Sequence, residues 1–453
     1  MKSIIISSNT SGGGKTTFTL GLMKALKNRG YDVQGYKVGP DYIDTAFHSE
    51  VTGNVSRNLD IFLTGEDEVK YCYLNGNGDM GVIEGVMGLY DGKGVDEEYS
   101  TYHISKVLDN APIILVLSPK ASTVTLAAEI NGLINFKSAN IVGIVFSGVS
   151  QKYYELLKVI IEANCNIKVF GYIPKDERIR LESRHLGLIQ SVEVDNILEK
   201  IDVCAELVEK YVDLNTLMGS FKELNLYNYL DKFSITKSTL KTNKVYIQDK
   251  IIKNKNFNIA IAYDEAFRFY YKENLELFED VGKVVYFSPL RDKELPKNID
   301  FLYLGGGYPE VFKEELQNNK SMRESINKAL NNGLRCYGEC GGLMYLTDFI
   351  DGYEMVGFFN GIVEMTRSLQ RFGYAIVKCS IDEKEYKINC HEFHKSKVLL
   401  KEETIFEIEK ENYQGEKITW NCGYKKKNTI AGYPHINFRG NVELFKAIIG
   451  YEL

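Results

Sequence analysis

The chain has 453 residues, 44% of them hydrophobic and 26% charged, enough for two or three buried cores and free of the bias that marks disorder. A formal net charge of −6 disfavours a general surface for nucleic acid or anionic membrane, and no apolar run approaches the roughly 20 residues that a membrane span needs. Residues 1–6 are too short for a signal peptide and the eight cysteines form no CxxC pair, so a cytoplasmic protein without zinc knuckle or disulfide framework is expected.

Ile4, Ile5 and Ile6 predict a strand, and the apolar run Leu20, Leu22, Met23 and Leu26 predicts a helix. Between them, Gly12, Gly13 and Gly14 let backbone N–H groups turn toward an anion, Lys15 adds a flexible cation, and Thr16, followed by Thr17, offers a hydroxyl to Mg²⁺. A nucleoside triphosphate is expected at this loop. The glycine that usually opens it is missing, with Asn9 at the usual spacing and Ser8 at the one-longer spacing. Thr10 stands where partition-type ATPases carry a signature lysine, which argues against their nucleotide-sandwich dimer.

Short β-rich runs then alternate with helical ones, at 33–38, 81–84, 113–117, 141–146 and 168–173, the rhythm of a doubly wound parallel sheet. Ligands of such sheets bind beyond the carboxyl ends of strands, and acids stand at those ends. Gly39-Pro40 stops the second strand ahead of Asp41, Tyr42 and Asp44; Glu84 ends a fully apolar strand, and Asp91 closes the glycine-rich loop after it. Nucleotide-bound Mg²⁺ takes one or two carboxylates, so Asp41, Asp44 and Glu84 are more than one ion needs and some should orient substrate. Helix capping by Asp41 or Asp44 and a solvated Asp91 are the structural alternatives. Arg178, Arg180, Glu182, Arg184 and His185 form a dense basic cluster, either a carboxylate clamp or an exposed ion-pair network.

Lysine- and asparagine-rich sequence at 213–256 reads as a linker between domains at 1–212 and 257–453. A second α/β rhythm begins at 258–262, 284–287 and 301–304, and both domains are predicted to be doubly wound α/β folds with mostly parallel sheets. After the third of these strands, the backbone amides of Gly306 and Gly307 could form an oxyanion hole. Residues 334–346 read as strand, tight turn and helix with Cys340 at the turn, the cysteine form of a nucleophile elbow. The helix N-terminus should lower the thiol pKa, and a base is still needed. Of six histidines, His435 follows a strand-like run, whereas His391 and His394 sit in the polar stretch 390–394.

The ordered motifs GPDYIDTAFH (39–48), VIEGVMGLYDG (82–92), ESRHLGL (182–188), GGGYPE (305–310), GECGGLMYL (338–346) and HEFHKS (391–396) resemble the cobyrinate a,c-diamide synthase family of corrinoid amidotransferases. The first half is also similar to dethiobiotin synthetase and the second to class I glutamine amidotransferases. The resemblance implies ATP- and Mg²⁺-dependent amidation of the a and c acetates of cobyrinate, with glutamine as nitrogen donor. It implies Cys340 as nucleophile, His435 as its base, Gly12 to Thr17 as the ATP loop, and Thr16, Asp41, Asp44 and Glu84 as the metal site. Tyr42, Asp91, Arg184 and His185 fall to the substrate, and a homodimer stays open. Two positions depart from the pattern. Asn437 stands where a glutamate usually orients the histidine, so another residue does so or the site is a dyad; Ser147 replaces the asparagine common in nucleotide-binding relatives.

A carboxylate needs a leaving group before ammonia can displace it, so an acyl phosphate and a dry passage for ammonia are expected. Diamidation of nickel sirohydrochlorin or hydrogenobyrinate, or a non-amidating regulatory ATPase, are the alternatives.

Overall fold

The computed structural model describes residues 1–179, 191–226 and 256–451. These fall into two compact units, one within Met1–Ile61 and Gly65–Ile247, the other within Phe62–Thr64 and Gln248–Leu453.

The first unit is built on strands β1 (Lys2–Ser7), β2 (Val33–Val38), β3 (Arg57–Leu59), β4 (Met80–Glu84), β5 (Ile113–Leu117), β6 (Ile141–Ser147) and β7 (Val169–Ile173). They lie in the order β3-β2-β4-β1-β5-β6-β7, each pair parallel. Burial on both faces explains the apolar runs at the centres of β1, β4 and β5: Ile5, Ile83, Ile113 and Leu115 enter the core on one face, and Ile4, Ile6, Val82, Ile114 and Val116 the core on the other. Helices α1 (Lys15–Asn28) and α2 (Tyr42–Thr52) follow β1 and β2, so their N-termini stand at the carboxyl ends of strands. Past residue 212 the chain stays in this unit: Lys222–Glu223 forms β8, antiparallel to β1 through Lys2 and Ser3.

The second unit also has a parallel heart, in the order Lys283–Phe287, Asn258–Ala262, Phe301–Leu304, Arg335–Glu339, Thr429–Gly432. Beyond it the same sheet continues antiparallel through Lys417–Lys426, Glu403–Glu411, Arg371–Ile381, Lys384–His394 and His435–Ile436. The sequence predicted the parallel half only. Residues 390–394, read there from their polarity, are the end of a strand in which Cys390, Glu392 and His394 point inward. Polar residues at inward positions hide a period of two. Among the described residues no helix is long and apolar enough to cross a membrane, and all eight cysteines are buried and outside any disulfide.

Candidate active site

In the first unit Gly14 caps α1 at φ 91°, and no side chain caps that helix. Its first N–H groups are thus left for a ligand, at the positive end of the helix dipole. The loop is pressed onto the strand ends: a Cβ at Gly13 would lie 2.1 Å from Ser8 Oγ, and one at Gly14 2.3 Å from Ser147 Oγ. Larger residues have no room there, and the two serines at departing positions are the loop's own neighbours. Lys15 curls back over the loop, donating to the carbonyls of Thr10 at 2.9 Å and Met87 at 2.5 Å. Burial and the nearby Lys37 lower its pKa to about 8, against the pull of Glu84, Asp44 and Asp91.

Beneath the loop lies a buried charge network. Glu84, wholly buried, accepts hydrogen bonds from Thr16 Oγ1 at 2.6 Å and Lys37 Nζ at 3.0 Å, and its second oxygen lies 2.8 Å from His48 Nε2. Lys37 also pairs with buried Asp44 at 2.6 Å. Burial alone would raise the Glu84 carboxyl, but Lys37, His48 and Thr16 outweigh it and hold the group well below the usual range. Asp41 is the N-cap of α2, its Oδ1 accepting from the N–H groups of Ile43 and Asp44, both at 2.9 Å. Tyr42 opens that helix half-buried. Asp91 Oδ2 accepts from the Gly88 N–H at 2.8 Å and so folds its own loop, while its charge still reaches Lys15. Thr17 is half-buried beside Thr16. Arg184 and His185 lie outside the described residues.

In the second unit Cys340 joins the strand Arg335–Glu339 to the helix Gly341–Leu346 at φ 49° and ψ −100°. A non-glycine residue adopts this conformation only when its surroundings force it. Glycine neighbours make the turn feasible: a Cβ at Gly342 would strike the Leu304 carbonyl at 2.0 Å, and one at Gly341 would meet Gly307 N at 3.0 Å. The thiol hydrogen-bonds the imidazole of His435. On the other side of the ring, His435 Nδ1 lies 2.9 Å from Glu339 Oε1, and Glu339 Oε2 accepts from the Ile436 N–H at 3.3 Å and the Tyr303 hydroxyl at 3.4 Å. Burial disfavours the imidazolium, but Cys340 and Glu339 together push His435 up to about 10. Gly306 lies flat against this ring, since a Cβ there would fall 2.6 Å from His435 Cε1.

The orienting acid is therefore Glu339, one residue before the nucleophile. Asn437 serves the backbone instead, accepting from Arg439 N at 3.1 Å. His394 is stacked on Tyr433, ring centroids 3.7 Å apart, with Nδ1 2.9 Å from the Ser396 carbonyl oxygen, and is lowered to about 4 by burial. The structure thus brings Cys340, His435, Gly306 and Gly307 together, and separately gathers Lys15, Thr16, Asp44 and Glu84. Lys37, His48 and Glu339 escaped sequence reasoning. For Glu339 the signal was available: it ends a buried strand, as Glu84 does.

Comparison with known proteins follows this division. Residues 4–189 match the CobQ/CobB/MinD/ParA nucleotide binding domain, and residues 258–442 match the CobB/CobQ-like glutamine amidotransferase domain. A nucleotide-binding α/β fold followed by an amidotransferase fold defines a glutamine-dependent amidating ligase. Over 457 residues the chain is 57% identical to the cobyrinate a,c-diamide synthase of Clostridium tetani (strain Massachusetts / E88), covering 99% of this chain and 100% of that one. It is 56% identical over 456 residues to the synthase of that name from Clostridium acetobutylicum, with 99% and 100% covered. For that of Caldanaerobacter subterraneus subsp. tengcongensis the identity is 40% over 447 residues, with 96% and 94% covered. The chain belongs to the cobyrinate a,c-diamide synthase family.

Proposed function

We propose that this protein converts the a and c acetate carboxylates of cobyrinate to amides in cobalamin biosynthesis, using ATP, Mg²⁺ and glutamine. The observation that carries the reading is the thiol–imidazole–carboxylate line of Cys340, His435 and Glu339 on a chain that also holds a phosphate loop over Thr16 and Glu84.

In the first unit the amides of Gly12 to Gly14 and of the α1 N-terminus take the triphosphate, and Lys15 exchanges its two carbonyl partners for phosphate oxygens. Thr16 and Glu84, 2.6 Å apart, are a hydroxyl–carboxylate pair of the kind a nucleotide-bound Mg²⁺ uses, with Asp44 and Asp41 behind it. Among the described residues no group of three or more His, Cys, Asp or Glu is arranged to hold a metal unaided, which suits an ion held largely by phosphate and water. Mg²⁺, when bound, neutralises charge on the phosphoryl group. Transfer of that group to the substrate carboxylate makes an acyl phosphate, which ammonia can displace. Tyr42 and Asp91, with Arg184 and His185, are assigned to the corrinoid.

In the second unit the Cys340 sulfur attacks the side-chain amide of glutamine. Amides of Gly306 and Gly307 hold the oxyanion, and His435, fixed by Glu339, gives its proton to the departing ammonia. Water then clears the thioester. Eight cysteines outside any disulfide suit a reducing cytoplasm.

Incubation with cobyrinate, glutamine and ATP, followed by mass spectrometry, should show two successive carboxyl-to-amide conversions. Conversion of nickel sirohydrochlorin or hydrogenobyrinate in place of cobyrinate would overturn the substrate assignment. Cys340→Ala should lose glutamine-dependent amidation and regain product with ammonia at alkaline pH, whereas Lys15→Ala should lose amidation from either nitrogen source.

A further inference from the structure

Glu392 is a buried acid that the reaction above does not use. It is 1% exposed, and neither carboxyl oxygen has a hydrogen-bond partner of ordinary geometry; the Trp420 indole, on the strand Lys417–Lys426, lies near enough to stabilise its charge. An orphaned buried carboxyl is costly and calls for an explanation, of which a ligand that completes it is one. It stands on the inward row of its strand between Cys390 and His394. Within electrostatic reach are Arg371 and His435, on the two strands paired with its own, and Lys410, Trp420 and Cys422 further along the sheet. Its cross-strand partner is Gly373, which has no side chain to cover the carboxyl. His394, next on the same row, is stacked on Tyr433, the residue after Gly432, whose carbonyl accepts from the Cys340 N–H at 2.7 Å, and Cys422 feels the charges of both Glu392 and Cys340. The orphan acid and the thiol therefore share one neighbourhood.

Glutamine attacked at its side-chain amide carries an ammonium four bonds further on, a span of about 5 Å. We infer that Glu392 receives the α-ammonium group of glutamine and is the residue that selects this amide from others. The inference rests on the assignment of Cys340 as the glutamine site. Without ligand, burial pushes the Glu392 carboxyl up to about 7, against Trp420, Arg371, His435 and Lys410. The ammonium binds the ionised form, so the KM for glutamine should climb as pH falls below about 7, approaching tenfold per unit.

The test compares glutaminase kinetics on L-glutamine and on 4-carbamoylbutanoate, which is glutamine without its α-amino group. The unmodified protein should prefer glutamine by about 10- to 100-fold in kcat/KM, as a charge-assisted hydrogen bond allows. Glu392→Gln should erase most of that preference through the KM for glutamine, leave 4-carbamoylbutanoate within about threefold and remove the acid rise in KM; Glu392→Asp should restore part of the preference. Equal losses on both substrates, or none, would overturn the inference. Should Glu392→Gln prove insoluble, the unmodified protein decides, because equal use of the two amides overturns it too. Glutamine hydrolysis that survives Cys340→Ala would instead overturn the assignment beneath it.

Discussion

Replacing Glu339 by glutamine keeps the shape of the side chain and removes its charge from His435. The site is 1% exposed, so water cannot take the place of the lost oxygen. One amide oxygen cannot accept from both His435 Nδ1 and the Ile436 N–H, contacts now made by the two carboxyl oxygens at 2.9 and 3.3 Å. Either arrangement sets a donor against a donor. A hydrogen bond to a charged group contributes about 1.5–3 kcal/mol, which at 1.36 kcal/mol per pKa unit lowers His435 by about one to two units from its value of about 10. Loss of the orienting acid in comparable sites lowers turnover by up to about 10⁴-fold, so glutaminase kcat should fall by about 10²- to 10⁴-fold. Because the imidazolium is then lost at lower pH, the alkaline limb of the rate profile should move down by the same one to two units. Glutamate release measured from pH 6 to 11 gives both quantities. A kcat within about threefold of the parent, with the limb unmoved, would show that Cys340 and His435 act as a dyad.

Gly306→Ala places a methyl group 2.6 Å from His435 Cε1 and should cost about 10²-fold in glutaminase kcat by displacing the ring; parental kcat would exclude the close approach. Lys37→Met leaves buried Asp44 and Glu84 without the cation now 2.6 and 3.0 Å away and should destabilise the first unit by about 3–5 kcal/mol in urea unfolding; a loss under about 1 kcal/mol would refute that role. His394, lowered from about 6.5 to about 4 in the fold, binds its proton more readily when unfolded, so its contribution is complete above pH 6.5 and is lost as pH falls toward 4. That amounts to about 3 kcal/mol, so the melting temperature of His394→Phe, which keeps the stack on Tyr433, should rise relative to that of the parent as pH falls from 6.5 toward 4. Glu392 and Glu310, both pushed up to about 7 by burial, slope the opposite way between pH 4.5 and 7 in parent and variant alike, so the difference isolates His394.

What could be seen in advance followed from strand ends. A fully apolar strand that stops at Glu84 or at Leu304 marks a strand end at which the candidate site is gathered, and the glycines that follow show where backbone must come close. The histidine's partner was harder to see because Glu339 was masked by its neighbour: beside a nucleophile, the strand-end rule applied to Glu84 went unused. Lys37 and His48 were hidden for another reason, since a cation inside a strand and a histidine inside a helix acquire meaning only when β2 and β4 lie side by side. The antiparallel wing was hidden by Glu392 and His394, whose polarity at inward positions breaks the alternation by which half-buried strands are recognised. Those same residues lie within electrostatic reach of His435.

Glu339 and Cys340 are covalent neighbours, whereas His435 lies 95 residues further along the chain, 435 − 340. Until that distant meeting happens nothing can deliver a proton to the leaving nitrogen. A polypeptide broken off anywhere within that interval holds a thiol and an acid that are chemically idle, and incomplete copies leave the glutamine around them untouched.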